Sequence, residues 1–179
     1  MLRRCARFFP TNSMTLNDLP SGALVFIDAN IFVYHFGGVS VECRTLLKRI
    51  EREDIRAAAG AHIVLEVLHR LMMIEAISKG LITPGQPAKK LKKNLDVIKK
   101  LSDYAKCVAE IRGLNIKVHG VTTRQIRKSE GIRNSYGMMT NDSVTAAMMS
   151  SYGITNIASL DSDLQRAPGI ILYQPTDVP

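Results

Sequence analysis

The chain has 179 residues, 46% of them hydrophobic and 22% charged, a composition that suits one globular domain with a substantial core. Its formal net charge of +8 favours a polyanionic partner without separating RNA from DNA or from an acidic protein. Cys5, Cys43 and Cys107 form no CxxC pair and leave an odd count, which argues against a disulfide framework or structural zinc and for a reducing cytoplasm, and no apolar run approaches the roughly 18 residues of a membrane span.

The opening residues, MLRRCARFFPTNS, are arginine-rich and acid-free but lack the apolar centre of a secretory signal. Residues 1–20 read as a flexible N-terminal extension and 21–179 as a single domain. The run ALVFID at 23–28 is short, apolar and β-rich after Pro20 and Gly22, which predicts a buried strand ending on Asp28. Residues 40–53 carry Val41, Leu46, Leu47 and Ile50 at helical spacing, and IRAAAG predicts a second short strand. Residues 62–78 predict a strongly apolar helix stopped by Gly80, with a turn at TPGQP.

From 88 to 112, Leu91, Leu95, Ile98, Leu101, Ala105 and Val108 make one face of a single long helix, with most lysines opposite. NIKVHGV is a candidate strand, and 123–137 reads as a basic, polar, flexible stretch containing two glycines. A helix over 141–152 is closed by Gly153, and the strands TNIASL and GIILYQ flank DSDLQRAP. Strands alternating with helices predict an α/β fold with a mostly parallel sheet covered on both faces. Sites in such folds lie beyond the carboxyl ends of the strands.

Asp28 ends the first strand, where it serves either as a site carboxylate or as a cap for the following helix. Glu66 sits in AHIVLEVLHRLMMIEAI, apolar on nearly every face, so it reads as a buried carboxylate in need of a cation or of hydrogen-bond partners; an ion pair with Arg70 is the structural alternative. Asp142 begins the helix of MMTNDSVTAAMM, and Asp161 and Asp163 directly follow the strand NIASL. Each has a bland explanation in the helix dipole or an Asx turn. Together they describe a crevice too acidic to remain unneutralised. Oxygen-only ligands select hard ions, Mg²⁺ or Mn²⁺, over zinc.

The stretches VFIDANIFVYHF, VLEVLHRL, TNDSVTAAM and ASLDSDLQRAPGI span nearly the whole chain and resemble the PIN-domain ribonucleases, including VapC-type toxins. The resemblance implies a PIN-like three-layer fold with a central five-stranded parallel sheet flanked by helices, and Mg²⁺- or Mn²⁺-dependent endonuclease activity on RNA. Residue by residue it places the family acids on Asp28, Glu66, Asp142 and Asp161, with Asp163 as an auxiliary. It also implies a homodimer and, for a toxin, a small antitoxin partner. A processing nuclease without an antitoxin, and an inert RNA-binding PIN module, stay open as alternatives.

On this reading the acids hold one or two metal ions, and the metal activates the attacking water. Asn30, Thr140, Arg124, Arg127, Lys128 and Arg133 are the candidate substrate contacts, since the four cations precede the Asp142 helix. Lys89, Lys90, Lys92, Lys93, Lys99 and Lys100 read first as the solvated face of a helix. His35, just beyond Asn30, is the histidine placed to approach the site, and no histidine joins the catalytic set.

Overall fold

The architecture comes from a computed structural model that describes residues 14–178. Cys5 and the first thirteen residues of the expected extension lie outside the described residues. Six strands form one parallel sheet: β1 (Met14–Thr15), β2 (Leu24–Ile27), β3 (Arg56–Gly60), β4 (Ile116–His119), β5 (Asn156–Ala158) and β6 (Ile171–Gln174). They lie side by side in the order β1, β6, β5, β2, β3, β4. The five strands expected from the apolar runs are all present. The sixth, β1, is two residues long and pairs with β6.

Residues 14–20, expected to belong to the extension, are packed. A short 3-10 turn at Leu16–Asp18 follows β1, and Leu16 and Leu19 are both buried in the main core. The packed chain therefore starts before residue 21, because two leucines among polar neighbours anchor the segment.

Among the described residues eight α-helices connect the strands: α1 (Ala29–Phe36), α2 (Val41–Glu51), α3 (Ala61–Ser78), α4 (Pro87–Lys93), α5 (Leu95–Lys99), α6 (Asp103–Ile111), α7 (Thr123–Tyr136) and α8 (Thr140–Tyr152). Helix α1 packs on α2 and α3, α3 packs on α6, and α7 lies along α8. The central strands are apolar on both faces: Val25, Phe26 and Ile27 of β2 and Ala57, Ala58 and Ala59 of β3 are all buried, as a covered parallel sheet requires.

Two expectations change. The single helix over 88–112 is three helices, broken at Asn94, whose φ of −127° and ψ of 71° are not helical, and again at Ser102. The Asn94 amide donates to the Lys90 carbonyl at 3.1 Å, closing α4. The breaks let Leu91 and Leu101 fold back with Ala76 and Ile82 into a second small core at the far end of α3. The stretch 123–137 is not flexible but the helix α7, opened by a reciprocal capping box between Thr122 and Gln125 and closed by Gly137 at a φ of 64°. Its buried residues are Gln125 and Ser129, so no apolar periodicity announced it.

Strands β2, β3 and β4 run outward in one direction from the middle of the sheet, while β5 and β6 lie on the other side of β2. The order reverses between β2 and β5. That reversal opens a crevice beyond the strands' carboxyl ends, where open α/β sheets place their ligands.

Candidate functional site

Asp28 and Ser159 are the residues that leave β2 and β5, so they meet across the reversal point. Ile27 stands in register with Ala158, and the Asp28 N–H donates to the Ala158 carbonyl at 3.0 Å. Asp28 occupies the N-cap position of α1, yet its carboxylate does not cap the turn. It accepts instead from the Ser159 hydroxyl at 2.6 Å and from the Asn30 amide at 2.7 Å.

Asn30 and Ser159 are themselves buried, and their hydrogen bonds close on one another. The Asn30 amide also donates to Ser159 Oγ at 3.1 Å, and its carbonyl oxygen accepts from the Leu160 N–H at 3.2 Å. Ser159 Oγ accepts from the Asp161 N–H at 2.9 Å. The tetrad Asp28, Asn30, Ser159 and Asp161 thus ties the ends of β2 and β5 together, and both polar atoms of the Asn30 side chain have partners. Ser159 carries no charge and sits in an apolar strand, so only its place immediately before Leu160 and Asp161 hints at this role.

Asp142 lies in the first turn of α8, and no side chain caps that helix. Its carboxyl is raised from the ordinary 3.8 to about 6, first by burial and then by the charges of Asp161, Asp28, Asp163 and Glu66. Burial also raises Asp28, with Glu66 and Asp161 adding to the effect; the Ser159 hydroxyl and the Ala29 N–H act the other way. Carboxylates contributed from four separate parts of the chain therefore share one electrostatic neighbourhood.

Glu66 is not the buried acid its helix suggested. Its side chain is 37% exposed and lies 3.7 Å from Arg70, the ion pair offered as the alternative. The helix misleads because several of its apolar residues face outward, Leu65 at 66% exposure and Ile74 at 44%. Asp161 caps the 3-10 turn at Ser162–Arg166 by accepting from the Asp163 N–H at 2.9 Å, while Asp163 pairs with Arg166 at 2.7 Å.

The basic candidates divide. Arg133 donates to Ser129 at 2.9 Å and to Ser143, the neighbour of Asp142, at 3.2 Å. With Thr140 and Asn141 it lines a cleft that also includes His62 and Leu65, immediately beside the acids. Lys128 instead donates to Ser150 at 2.7 Å. Ser150 is eight residues beyond Asp142, about 12 Å along the helix axis. Arg124 and Arg127 precede it on an exposed part of α7, so these three cations stand off from the acids.

His35 does not approach the site: it sits in the last turn of α1, stacks edge-on with Phe36, and is lowered by burial and by Arg44. His62 is the nearby histidine. Its Nε2 lies 3.0 Å from Thr145 Oγ1, joining the helices that carry Glu66 and Asp142.

A hard divalent ion suits this donor set, since every candidate ligand offers oxygen and burial, with the neighbouring acids, raises the Asp142 carboxyl. Among the described residues, no three His, Cys, Asp or Glu side chains are already gathered to hold a metal ion. The acids are close enough to sense one another's charge and are not closed into a cage. No helix among the described residues is long and apolar enough to cross a membrane.

The PIN domain family matches residues 25–170. Ribonuclease VapC2 of Methanocaldococcus jannaschii is 24% identical over 142 residues, covering 79% of this chain and 87% of the relative. A chain of VapBC2 from Rickettsia felis, crystallised with a DNA fragment from the promoter, superposes with a TM-score of 0.56 at 11% identity, over 84% of this chain and 98% of the other. VapC20 of Mycobacterium tuberculosis, described as a toxin cleaving the sarcin–ricin loop, gives 0.53 at 14% identity, over 80% and 95%. These two likenesses concern the fold.

Proposed function

The chain belongs to the PIN-domain family, and from that premise we propose that it is a VapC-type endoribonuclease, using divalent metal to hydrolyse RNA phosphodiester bonds and acting as the toxin of a toxin–antitoxin pair. The observation that carries this reading is the convergence of carboxylates from four parts of the chain, with Asp142 raised to about 6 first by burial and then by Asp161, Asp28, Asp163 and Glu66. Crowding of that kind is what an external cation relieves.

Asp28, Asp142 and Asp161 would hold the ion, Mg²⁺ or Mn²⁺, with Glu66 as a further ligand or as the group that orients water. When bound, the ion lowers the pKa of the attacking water and stabilises charge on the phosphate and the leaving oxygen. The protein's own contribution is preorganisation. Ser159 and Asn30 fix the Asp28 carboxylate by two hydrogen bonds, and Asp161 is held by its own turn. Among the described residues Asp142 has no such hydrogen bond and Glu66 only the Arg70 contact. Asp163, paired with Arg166, ranks below them as a ligand.

Arg133 and Thr140 are the substrate contacts we retain nearest the acids; Asn30, buried and bonded to Asp28, Ser159 and Leu160, positions Asp28 instead of meeting substrate, and Arg124, Arg127 and Lys128 would meet RNA farther along α7. A small antitoxin and a second copy of the chain complete the proposed partners. The test is incubation of total cellular RNA with the wild type and with Asp142→Asn, each with Mn²⁺ or with chelator. Cleavage confined to the wild type with Mn²⁺ is expected. Cleavage that survives chelator, or that Asp142→Asn performs at the wild-type rate, would contradict the reading.

A further inference from the structure

The most uneven distribution of charge in the molecule lies away from the acids. Residues 87–100, spanning α4 and α5, hold six lysines against one aspartate, so this short segment carries +5 of the chain's +8. Asp96 is occupied by Lys99 at 3.0 Å. Several cations elsewhere are matched, Arg49 by Asp54, Arg70 by Glu66, Lys79 by Glu75 and Asp103, Lys106 by Asp103 and Arg166 by Asp163; Arg44, Lys48 and Arg52 form no salt bridge among the described residues but are interspersed with Glu42, Glu51, Glu53 and Asp54. A solvated helix face normally intersperses both signs. Here Lys89, Lys92 and Lys93 sit within one turn of each other on a seven-residue helix, all exposed, an arrangement that costs stability through like-charge repulsion.

The segment is also held firmly. Lys90, which shares a groove with Lys89 and Lys93, donates to the Thr83 carbonyl, the Thr83 hydroxyl and the Pro84 carbonyl at 2.6–2.9 Å. That fixes the loop Pro84–Gly85–Gln86, which lines one groove with Lys89 and Lys93. Leu91 and Leu101 pin the appendage to α3 through the second core. It is a rigid basic surface on the helix that carries Glu66. From Glu66 to Ala76, where the second core begins, the helix rises about 15 Å, equivalent to roughly four stacked nucleotide steps at 3.4 Å each.

A polyanionic substrate meets repulsion at a crevice built from Asp28, Glu66, Asp142, Asp161 and Asp163, so its binding energy must come from outside that crevice. We propose that the lysine appendage of α4 and α5 is a second RNA-contact surface, holding backbone phosphates several nucleotides from the bond to be cut. The proposal rests on the nuclease reading above. Its ligand is the phosphate backbone, recognised by charge and not by base.

The test compares full-length wild type, the triple variant Lys89→Gln/Lys92→Gln/Lys93→Gln, and an equal-charge control at exposed positions on α2 and just past its end, Arg44→Gln/Lys48→Gln/Arg52→Gln. Affinities for a single-stranded RNA of about 30 nucleotides and one of about five are measured by fluorescence anisotropy in chelator across a salt series, with thermal melting as the check on folding. The appendage variant is expected to weaken binding of the long RNA about tenfold at moderate salt and to reduce the slope of log K against log salt by about 2, the release expected from three phosphate contacts on a single strand. Binding of the short RNA, and its cleavage rate at saturation with Mn²⁺, should be unchanged.

Unaltered long-RNA binding would overturn the proposal. So would an equal loss in the α2 control, which would mark a general field effect, or a loss of association with phosphatidylserine vesicles while RNA binding persists. Failure of the wild type to bind or cleave any RNA would instead overturn the functional reading itself and the appendage with it.

Discussion

Helix α3 carries an acid toward each end, and the protein handles them in opposite ways. At the C-terminal end Glu75 is buried, and burial alone would raise it. Lys79 and the backbone N–H groups of Tyr104 and Ser102, at 2.9 and 3.0 Å, overcome that and hold it at about 2. Asp103 is drawn to about 2 as well by the hydrogen bonds of Lys79 and Lys106. At the N-terminal end Glu66 faces Asp28, Asp142 and Asp161, and there the carboxyls rise: Asp28 is shifted up and Asp142 reaches about 6. One cluster is neutralised by the chain's own groups; in the other Arg70 and Arg166 pair with Glu66 and Asp163, while among the described residues Asp28 and Asp142 have no salt bridge. A buried carboxylate is thus no marker of function in itself; the marker is one whose neighbours are also carboxylates.

The largest expected effect separates the two clusters by chemistry. Asp142→Asn or Asp28→Asn should lower kcat on a defined RNA by about 10³-fold, roughly 4 kcal/mol of barrier, while far-ultraviolet circular dichroism stays that of the wild type. Equal kcat would place the cut elsewhere. Glu75→Gln should do the reverse, lowering unfolding free energy in urea by about 2 kcal/mol, the scale of hydrogen bonds to a charged group, with kcat unaffected well below the melting temperature. Because Glu75 sits at about 2 in place of 4.5, its contribution is complete above pH 4.5 and is lost as pH falls toward 2.

Ser159→Ala leaves Asp28 without its 2.6 Å donor and should weaken divalent-metal affinity about tenfold, the lower end for a group that orients a ligand. Calorimetric titration with Mn²⁺ would read it. The smallest effect is a slope. Asp142 binds its proton more tightly folded, at about 6, than at the ordinary 3.8, so metal-free stability should decline as pH rises from about 4 to 6. Asp142→Asn should remove that part of the decline and be the more stable protein at pH 7 in chelator.

The sequence made some of this readable. Asp28 and Asp161 were legible because apolar strands deliver them, and the switch point follows from the order of those strands. The long lysine helix was misread because Asn94 and Ser102 break it through local backbone geometry that its apolar period does not encode. Helix α7 was hidden because its buried face is Gln125 and Ser129. Glu66 and Glu75 look alike in an apolar helix, and only the fold assigns the buried place to Glu75. Ser159 was invisible for want of charge, although it fixes Asp28.

The central claim is that the crowded acids form one divalent-metal site, and thermal unfolding at pH 7.5 with increasing Mn²⁺ tests it most directly. Occupancy of a site present only in the folded state adds about 2.7 kcal/mol at 100 times Kd. The wild type should therefore melt several degrees higher with Mn²⁺ than in chelator, Glu75→Gln should show the same increment from a lower start, and Asp142→Asn should show none. No increment in the wild type, or an equal one in Asp142→Asn, would contradict the account.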